Sequence, residues 1–352
     1  MAQDVASAPV PQMRHEPALA SPPERRLHQP HSQRHTYGAL DLGTNNCRLL
    51  IARPSEGGFT VIDAFSRIVR LGDGLSQTGR LSDDAMDRAV AALSVCADKL
   101  RRRNVSLSRS VATEACRRAA NGYKFVERVR SETGIALEII EPAEEARLAM
   151  LGCHKLLEPG DGPALIFDIG GGSTELVLID HMNGVPKIRS WWSAPWGVVS
   201  LTESEGREAI EGEDRVRAYK RMRERVRRSF DQFEAMLPRN RDNIRLLGTS
   251  GTVTTLASVH LALPSYDRRA VDGLHVPIDS MRAISSMIAE MDYQERSSLP
   301  CIGPDRADLV VAGCAILEAI LEIWPAKKLG IADRGIREGI LRSLMARDGY
   351  KL

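Results

Sequence analysis

Two short stretches of the 352-residue chain carry residue types suited to phosphate chemistry. Asp41-Leu42-Gly43-Thr44-Asn45-Asn46-Cys47-Arg48-Leu49 can be laid residue for residue on Asp168-Ile169-Gly170-Gly171-Gly172-Ser173-Thr174-Glu175-Leu176. In each, an aspartate ends a strand-like run, an aliphatic residue and a glycine follow, and a charged residue opens the return strand after a small polar turn. A strand-end aspartate offers a hard oxygen ligand to a divalent cation, and a glycine turn leaves backbone N–H groups free to approach phosphate oxygens. Gly170-Gly171-Gly172 adds to this, because three residues without side chains let the main chain come close to a bulky anion. Either turn alone reads as a plain hairpin; the matched pair predicts two such turns facing one ligand. Leu246-Leu247-Gly248-Thr249-Ser250-Gly251 and Leu329 to Gly335 repeat a strand, turn and helix-start grammar. No G-x-x-x-x-G-K-[ST] occurs, nor a G-x-G-x-x-G opening a helix after a strand, which argues against a lysine-based P-loop and a Rossmann site.

The elements that must hold these turns follow from hydrophobic spacing. Residues 1–36 are rich in Pro, Ala, Ser, Gln and His and are expected to be a disordered tail, in which His28, His31 and His35 have no frame to fix metal geometry. From Tyr37 the pattern becomes a β-meander, with strands at 37–41, 48–52 and 60–67. A helix over 81–102, a strand at 110–112, a helix around 123–133, a strand at 137–140 and a helix opened by Pro142 complete a first domain, 37–160. Strands at 165–168, 175–179 and 187–192 repeat the meander and begin a second domain, 161–352, so an internal duplication is the economical reading. The segment 156–162 is the candidate hinge. Val216 to Leu237 predicts one long amphipathic helix whose many arginines read as a solvated face rather than a polyanion site.

Composition narrows the class. A hydrophobic share of 43%, a charged share of 27% and a net charge of +2 describe a globular protein and argue against a nucleic-acid-coating one. No apolar run approaches the roughly 20 residues that span a bilayer, so no membrane role is expected. The six cysteines form no C-x-x-C pair or metal spacing and suit a reducing cytoplasm.

Six motifs, in order, resemble those of the exopolyphosphatase and guanosine pentaphosphate phosphohydrolase (Ppx/GppA) family, within the actin, sugar kinase and heat-shock-chaperone ATPase superfamily. They are Asp41 to Asn45, Ala112-Thr113-Glu114-Ala115-Cys116-Arg117, Glu144-Glu145-Ala146-Arg147, Asp168 to Glu175, Gly248 to Gly251, and Asp333 to Gly339. The resemblance covers about Tyr37 to Met345. It implies an α/β fold of two similar ribonuclease H-like (actin-like ATPase) domains with an interdomain cleft. By the same resemblance Glu145 is the carboxylate that orients and deprotonates water, although acidic residues in a helix's first turn also serve simply to complement its dipole. Asp168, Glu175 and Arg117 are implied as its catalytic partners, Asp41, Asp168 and Glu175 as the set holding Mg²⁺ (or Mn²⁺). Gly43, Thr44, Asn45, Arg48, Gly170, Gly171, Gly172, Ser173, Gly248, Thr249 and Ser250 are the expected phosphate contacts. Longer relatives carry an added C-terminal helical domain for which this chain lacks the length, which counts against processive handling of long polymers. Arg334 stands where many relatives have a smaller or aromatic residue, so the back of the site is expected to differ.

The leading expectation is exopolyphosphatase activity, with inorganic polyphosphate as substrate; guanosine pentaphosphate presents the same terminal phosphoanhydride. A kinase would need an acceptor pocket closed to water. A non-catalytic polyphosphate or alarmone sensor would be expected to lack the carboxylates, and Glu145, Asp168 and Glu175 are present. The amphipathic helix and the Trp191-Trp192 pair are candidate homodimer contacts.

Overall fold

The computed structural model describes residues 35–350 apart from 161, 183–184 and 239–242. His28, His31 and Asp161 of the candidate hinge lie outside the described residues.

Strands β1 (Tyr37–Leu42) and β6 (Ala164–Ile169) show why two meanders begin where they do. Both are buried at every position except the penultimate aspartate, which is half-buried. Apolar residues covered on both faces mark central strands, and in each sheet the aspartate stands near the strand's C-terminal end. β1, β2 (Asn46–Ser55), β3 (Gly58–Ile68), β4 (Leu107–Ala112) and β5 (Leu137–Ile139) form one sheet in the order β3-β2-β1-β4-β5. β6, β7 (Thr174–Met182), β8 (Val185–Ala194), β9 (Arg245–Thr249), β10 (His275–Pro277) and β11 (Lys328–Ala332) form the other, in the order β10-β11-β9-β6-β7-β8. Leaving aside β10, the two orders correspond strand by strand. In both, the first three strands are antiparallel and the added ones parallel. That arrangement is the ribonuclease H-like α/β fold, present twice.

Helices Asp83–Arg102 and Gly122–Thr133 cover one face of the first sheet, with Leu93, Phe125 and Val129 packed on Leu40, Leu49 and Ile51. The opposite face holds Tyr37, Ala39, Leu50 and Val111 against Leu148 and Ala149 of helix Pro142–Cys153, and against Ile340, Leu341 and Leu344 of helix Ile336–Arg347. This last helix follows the second sheet in sequence but packs on the first. Helix Pro142–Cys153 also turns Ala146, Met150 and Cys153 toward Ile166, Val177 and Leu247 of the second sheet, so it is shared between the halves. Glycine permits these contacts: a Cβ on Gly152 would lie 2.0 Å from the Gly335 carbonyl oxygen, and one on Gly339 would lie 2.0 Å from that of Leu148.

The expected single helix over 216–237 is broken. It runs Arg215–Ser229, the Ser229 hydroxyl donates back to the Val226 carbonyl, and only a short turn, Asp231–Glu234, follows Phe230. Its arginines are occupied as a solvated face would have them: Arg221 and Arg225 on Glu205, Arg223 and Arg227 on Glu322, Arg228 on Glu224.

Candidate active site

Across the β1–β2 ladder Asp41 stands opposite Arg48, and across β6–β7 Asp168 stands opposite Glu175. Directly opposed residues of an antiparallel pair share a face, so each half delivers two charged groups side by side. All four line one cavity of about 130 Å³ between the two sheets. Gly43, Thr44, Asn45, Gly170, Gly171, Gly172, Ser173, Ser250 and Glu145 line it as well.

The glycine run does a second job that spacing did not reveal. A Cβ on Gly171 would come within 2.9 Å of the Thr44 Cβ and 3.1 Å of the Asn45 nitrogen, and one on Gly172 within 2.7 Å of the Thr44 hydroxyl oxygen and 2.8 Å of the Glu114 Cγ. The turns of the two halves therefore press against each other, and the missing side chains make room for the facing turn as well as for a ligand. Further ties cross nearby: Arg70 pairs with Asp308 at 2.9 Å, and Glu203 accepts from the Gly74 N–H at 2.8 Å and from the Ser76 hydroxyl.

Glu145 lies in the first turn of helix Pro142–Cys153 and is only 6% exposed. Burial raises its pKa well above the ordinary carboxylate value, reinforced by Glu175, Asp41 and Asp168 and opposed by Arg117. Asp168 is pushed up to about 8, by burial first and then by Glu175 and Asp41, against the pull of Arg48. Glu175 is also raised by burial, although hydrogen bonds from Ser173 at 2.7 Å and Ser193 at 3.0 Å favour its charged form. Asp41 is raised for the same primary reason. A group that accepts a proton near neutrality can serve as a general base, and four mutually repelling carboxylates call for a cation.

Comparison with known proteins shows which family the chain resembles. The profile of the Ppx/GppA phosphatase family matches residues 50–348. The chain belongs to that family. It is 31% identical over 320 residues to Exopolyphosphatase 2 of Mycobacterium tuberculosis, covering 87% of this chain and 97% of that one. It is 27% identical to the guanosine-5'-triphosphate,3'-diphosphate pyrophosphatase of Aliivibrio fischeri, of which it covers 58%. Among solved structures, the Aquifex aeolicus Ppx/GppA family member superposes with a TM-score of 0.73 at 31% identity, covering 90% of this chain and 99% of that one. This Ppx/GppA chain is thus a hydrolase of phosphoanhydride bonds.

Family membership implies a divalent metal, and the donor chemistry fits one. Asp41 and Asp168 are hard oxygen donors on corresponding strand ends, and the Asp41 Oδ1 is buried without a hydrogen-bond partner. Among the described residues no three carboxylate, His or Cys side chains already converge as a cage for it. One oxygen of Glu175, Oε1, accepts from both Ser173 and Ser193. Magnesium keeps several waters and takes one or two carboxylates, a demand that Asp41 and Asp168 would meet.

Three expected contacts fall elsewhere. Arg117 does not line the cavity: its guanidinium donates to Glu114 at 2.7 Å, to Glu145 at 3.3 Å and to the Ile140 carbonyl at 2.5 Å. Gly248 serves packing, since a Cβ there would meet the Phe167 ring at 2.5 Å. Thr249 donates to the Arg334 carbonyl at 2.6 Å and lines a smaller cavity behind. Conversely, Glu114, Gly251, Thr252, Thr255 and Arg306 line the main cavity and were not anticipated. Glu114 was legible in its motif; Arg306, which donates to the Thr255 hydroxyl at 2.6 Å, stands in an irregular stretch with no pattern to mark it.

Proposed function

We propose that this Ppx/GppA hydrolase is an exopolyphosphatase, releasing terminal orthophosphate from inorganic polyphosphate. Glu145 takes a proton from a water that attacks the terminal phosphorus in line with the departing bridging oxygen. The P–O bond to water forms as the anhydride P–O bond breaks, and the shortened polymer leaves with the electron pair. The turns Gly43 to Asn45 and Gly170 to Ser173 supply N–H and hydroxyl donors, and Arg48 and Arg306 supply cationic ones. Asp41 and Asp168 would hold Mg²⁺ (or Mn²⁺), which contributes charge neutralisation on the phosphate oxygens. Arg117 acts on Glu145, holding it in place and favouring its ionised form.

The observation that carries the choice of substrate is the cavity's lining: glycine turns with charged and hydroxyl groups from both halves and, among the described residues, no aromatic side chain on which a purine would stack. The match along 97% of an exopolyphosphatase supports the same reading. Guanosine pentaphosphate remains the second reading, favoured by an apolar stretch of Ile68, Val198, Leu309 and Val310 that could face a base. In this reading the enzyme works in a reducing cytoplasm, which its six free cysteines suit, and the exposed Trp191 of β8 is the proposed homodimer contact; neither nucleic acid nor membrane is a partner. No helix among the described residues is long and apolar enough to cross a membrane.

Phosphate release with Mg²⁺ from long polyphosphate, short polyphosphate and guanosine pentaphosphate, by the unaltered protein and by Glu145→Ala, tests this. Release from polyphosphate that the substitution abolishes supports the proposal. Release from guanosine pentaphosphate alone moves the assignment to the second reading, and tight binding without turnover would make the protein a sensor.

A further inference from the structure

Behind the carboxylates lies a second, smaller cavity of about 40 Å³. It shares Asp41, Arg48, Asp168, Ser250 and Ile336 with the main cavity, so the two meet at the groups that would face the scissile bond. Its other wall is the turn that opens helix Ile336–Arg347, carrying Arg334 and Arg337. That turn is held from outside: Arg268 donates to the Asp333 carbonyl at 2.7 Å and pairs with Glu338 at 3.2 Å, and Glu338 accepts the Gly335 N–H at 2.9 Å. Arg334 is braced by Asp272 at 2.8 Å, and Asp272 also accepts the Asp333 N–H at 3.0 Å. Among the described residues, no carboxylate comes within ion-pairing distance of Arg48 or Arg337. Both attract Asp41 from a distance. The rear cavity therefore combines a braced arginine, two arginines without a carboxylate partner, and the N-terminus of a 12-residue helix.

We propose that this rear cavity is a product site, in which Arg334 and Arg337 receive the orthophosphate released at Asp168 while the shortened chain still occupies the front cavity. The inference rests on the exopolyphosphatase reading above. An enzyme that trims one end of a polymer leaves orthophosphate on the far side of the broken bond, where the remaining chain blocks the way out. A route past Asp41 and Asp168 removes that block. Arginine draws the dianion onward by charge and by its planar fork. The neighbouring carboxylates repel it, so the ion is held weakly and moves on. Arg268 offsets Asp333 at 3.1 Å, which keeps the wall from being wholly acidic.

The pattern of product inhibition tests the site. Release of radiolabelled phosphate from long polyphosphate is measured against added unlabelled inorganic phosphate. An ion that binds behind a bound chain inhibits noncompetitively with respect to polymer. Arg334→Ala and Arg337→Ala should each raise the phosphate Ki about tenfold, the loss of one charge-assisted contact, while the polymer KM stays within about twofold. Arg334→Lys, which keeps the cation but not the fork, should restore part of that affinity. Purely competitive inhibition in the unaltered enzyme overturns the proposal without any variant. So does a Ki unmoved in both alanine variants. Absence of phosphate release from polyphosphate overturns the exopolyphosphatase reading itself, and the two failures are thereby told apart.

Discussion

The Arg117 guanidinium reaches the Glu145 carboxylate with two nitrogens at 3.3 Å each, and it does so from behind the cavity wall. Its other carboxylate partner is Glu114, held through Nε at 3.2 Å and Nη2 at 2.7 Å. The fork thus sets both the position and the proton affinity of Glu145, because Arg117 opposes the upward pull of burial. Lysine offers one point charge and cannot span both carboxylates. Arg117→Lys should lower kcat about 10- to 100-fold with little change in KM, and move the acid limb of the kcat profile to higher pH. A pH-rate series on both proteins checks this; an unmoved limb would mean that Arg117 only shapes the helix.

Glu145→Gln keeps the volume of the side chain and removes the base. The expected loss in kcat is about 10³-fold, within the range for general base catalysis. Folding should not suffer, because the substitution relieves repulsion from Glu175, Asp41 and Asp168. Thermal melting beside steady-state kinetics separates the two effects.

Stability should fall as pH rises in metal-free buffer. The folded pKa of Asp168 is raised to about 8, so its protonated form favours folding; that contribution is complete below the unfolded pKa of about 4 and is lost as pH climbs through about 8. Asp41 and Glu175 are shifted in the same direction. The melting temperature should drop by about 5 °C or more between pH 5 and pH 9. Magnesium should reduce the drop by binding the ionised carboxylates, and Asp168→Asn should flatten it. A metal-free protein equally stable at both pH values would show that the carboxylates are not buried as described.

Gly339→Ala should destabilise the protein by about 1–3 kcal/mol, the range for overpacking, since a Cβ there would meet the Leu148 carbonyl oxygen at 2.0 Å. The strain falls where helix Ile336–Arg347 crosses helix Pro142–Cys153, which carries Glu145. Activity should therefore fall more than the folded fraction does. Chemical denaturation and specific activity on one preparation measure both.

What the chain alone determined is local and periodic. The short apolar runs of Tyr37–Leu42 and Ala164–Ile169, with an aspartate near each end and a glycine turn after it, specified the paired meanders. The equal length of the two turns matches the ladders that set Asp41 opposite Arg48 and Asp168 opposite Glu175. Strand alternation and turn conformation are properties of neighbouring residues, so they can be read from order. Only tertiary structure decided which distant groups meet. It turned Arg117 onto Glu145, brought Arg306 to the cavity from an unpatterned stretch, spent Gly248 on the Phe167 ring, and laid helix Ile336–Arg347 on the first sheet. These contacts join residues far apart in the chain, and they are settled by which surfaces can be buried together without clash, a condition on the whole molecule that no local pattern contains.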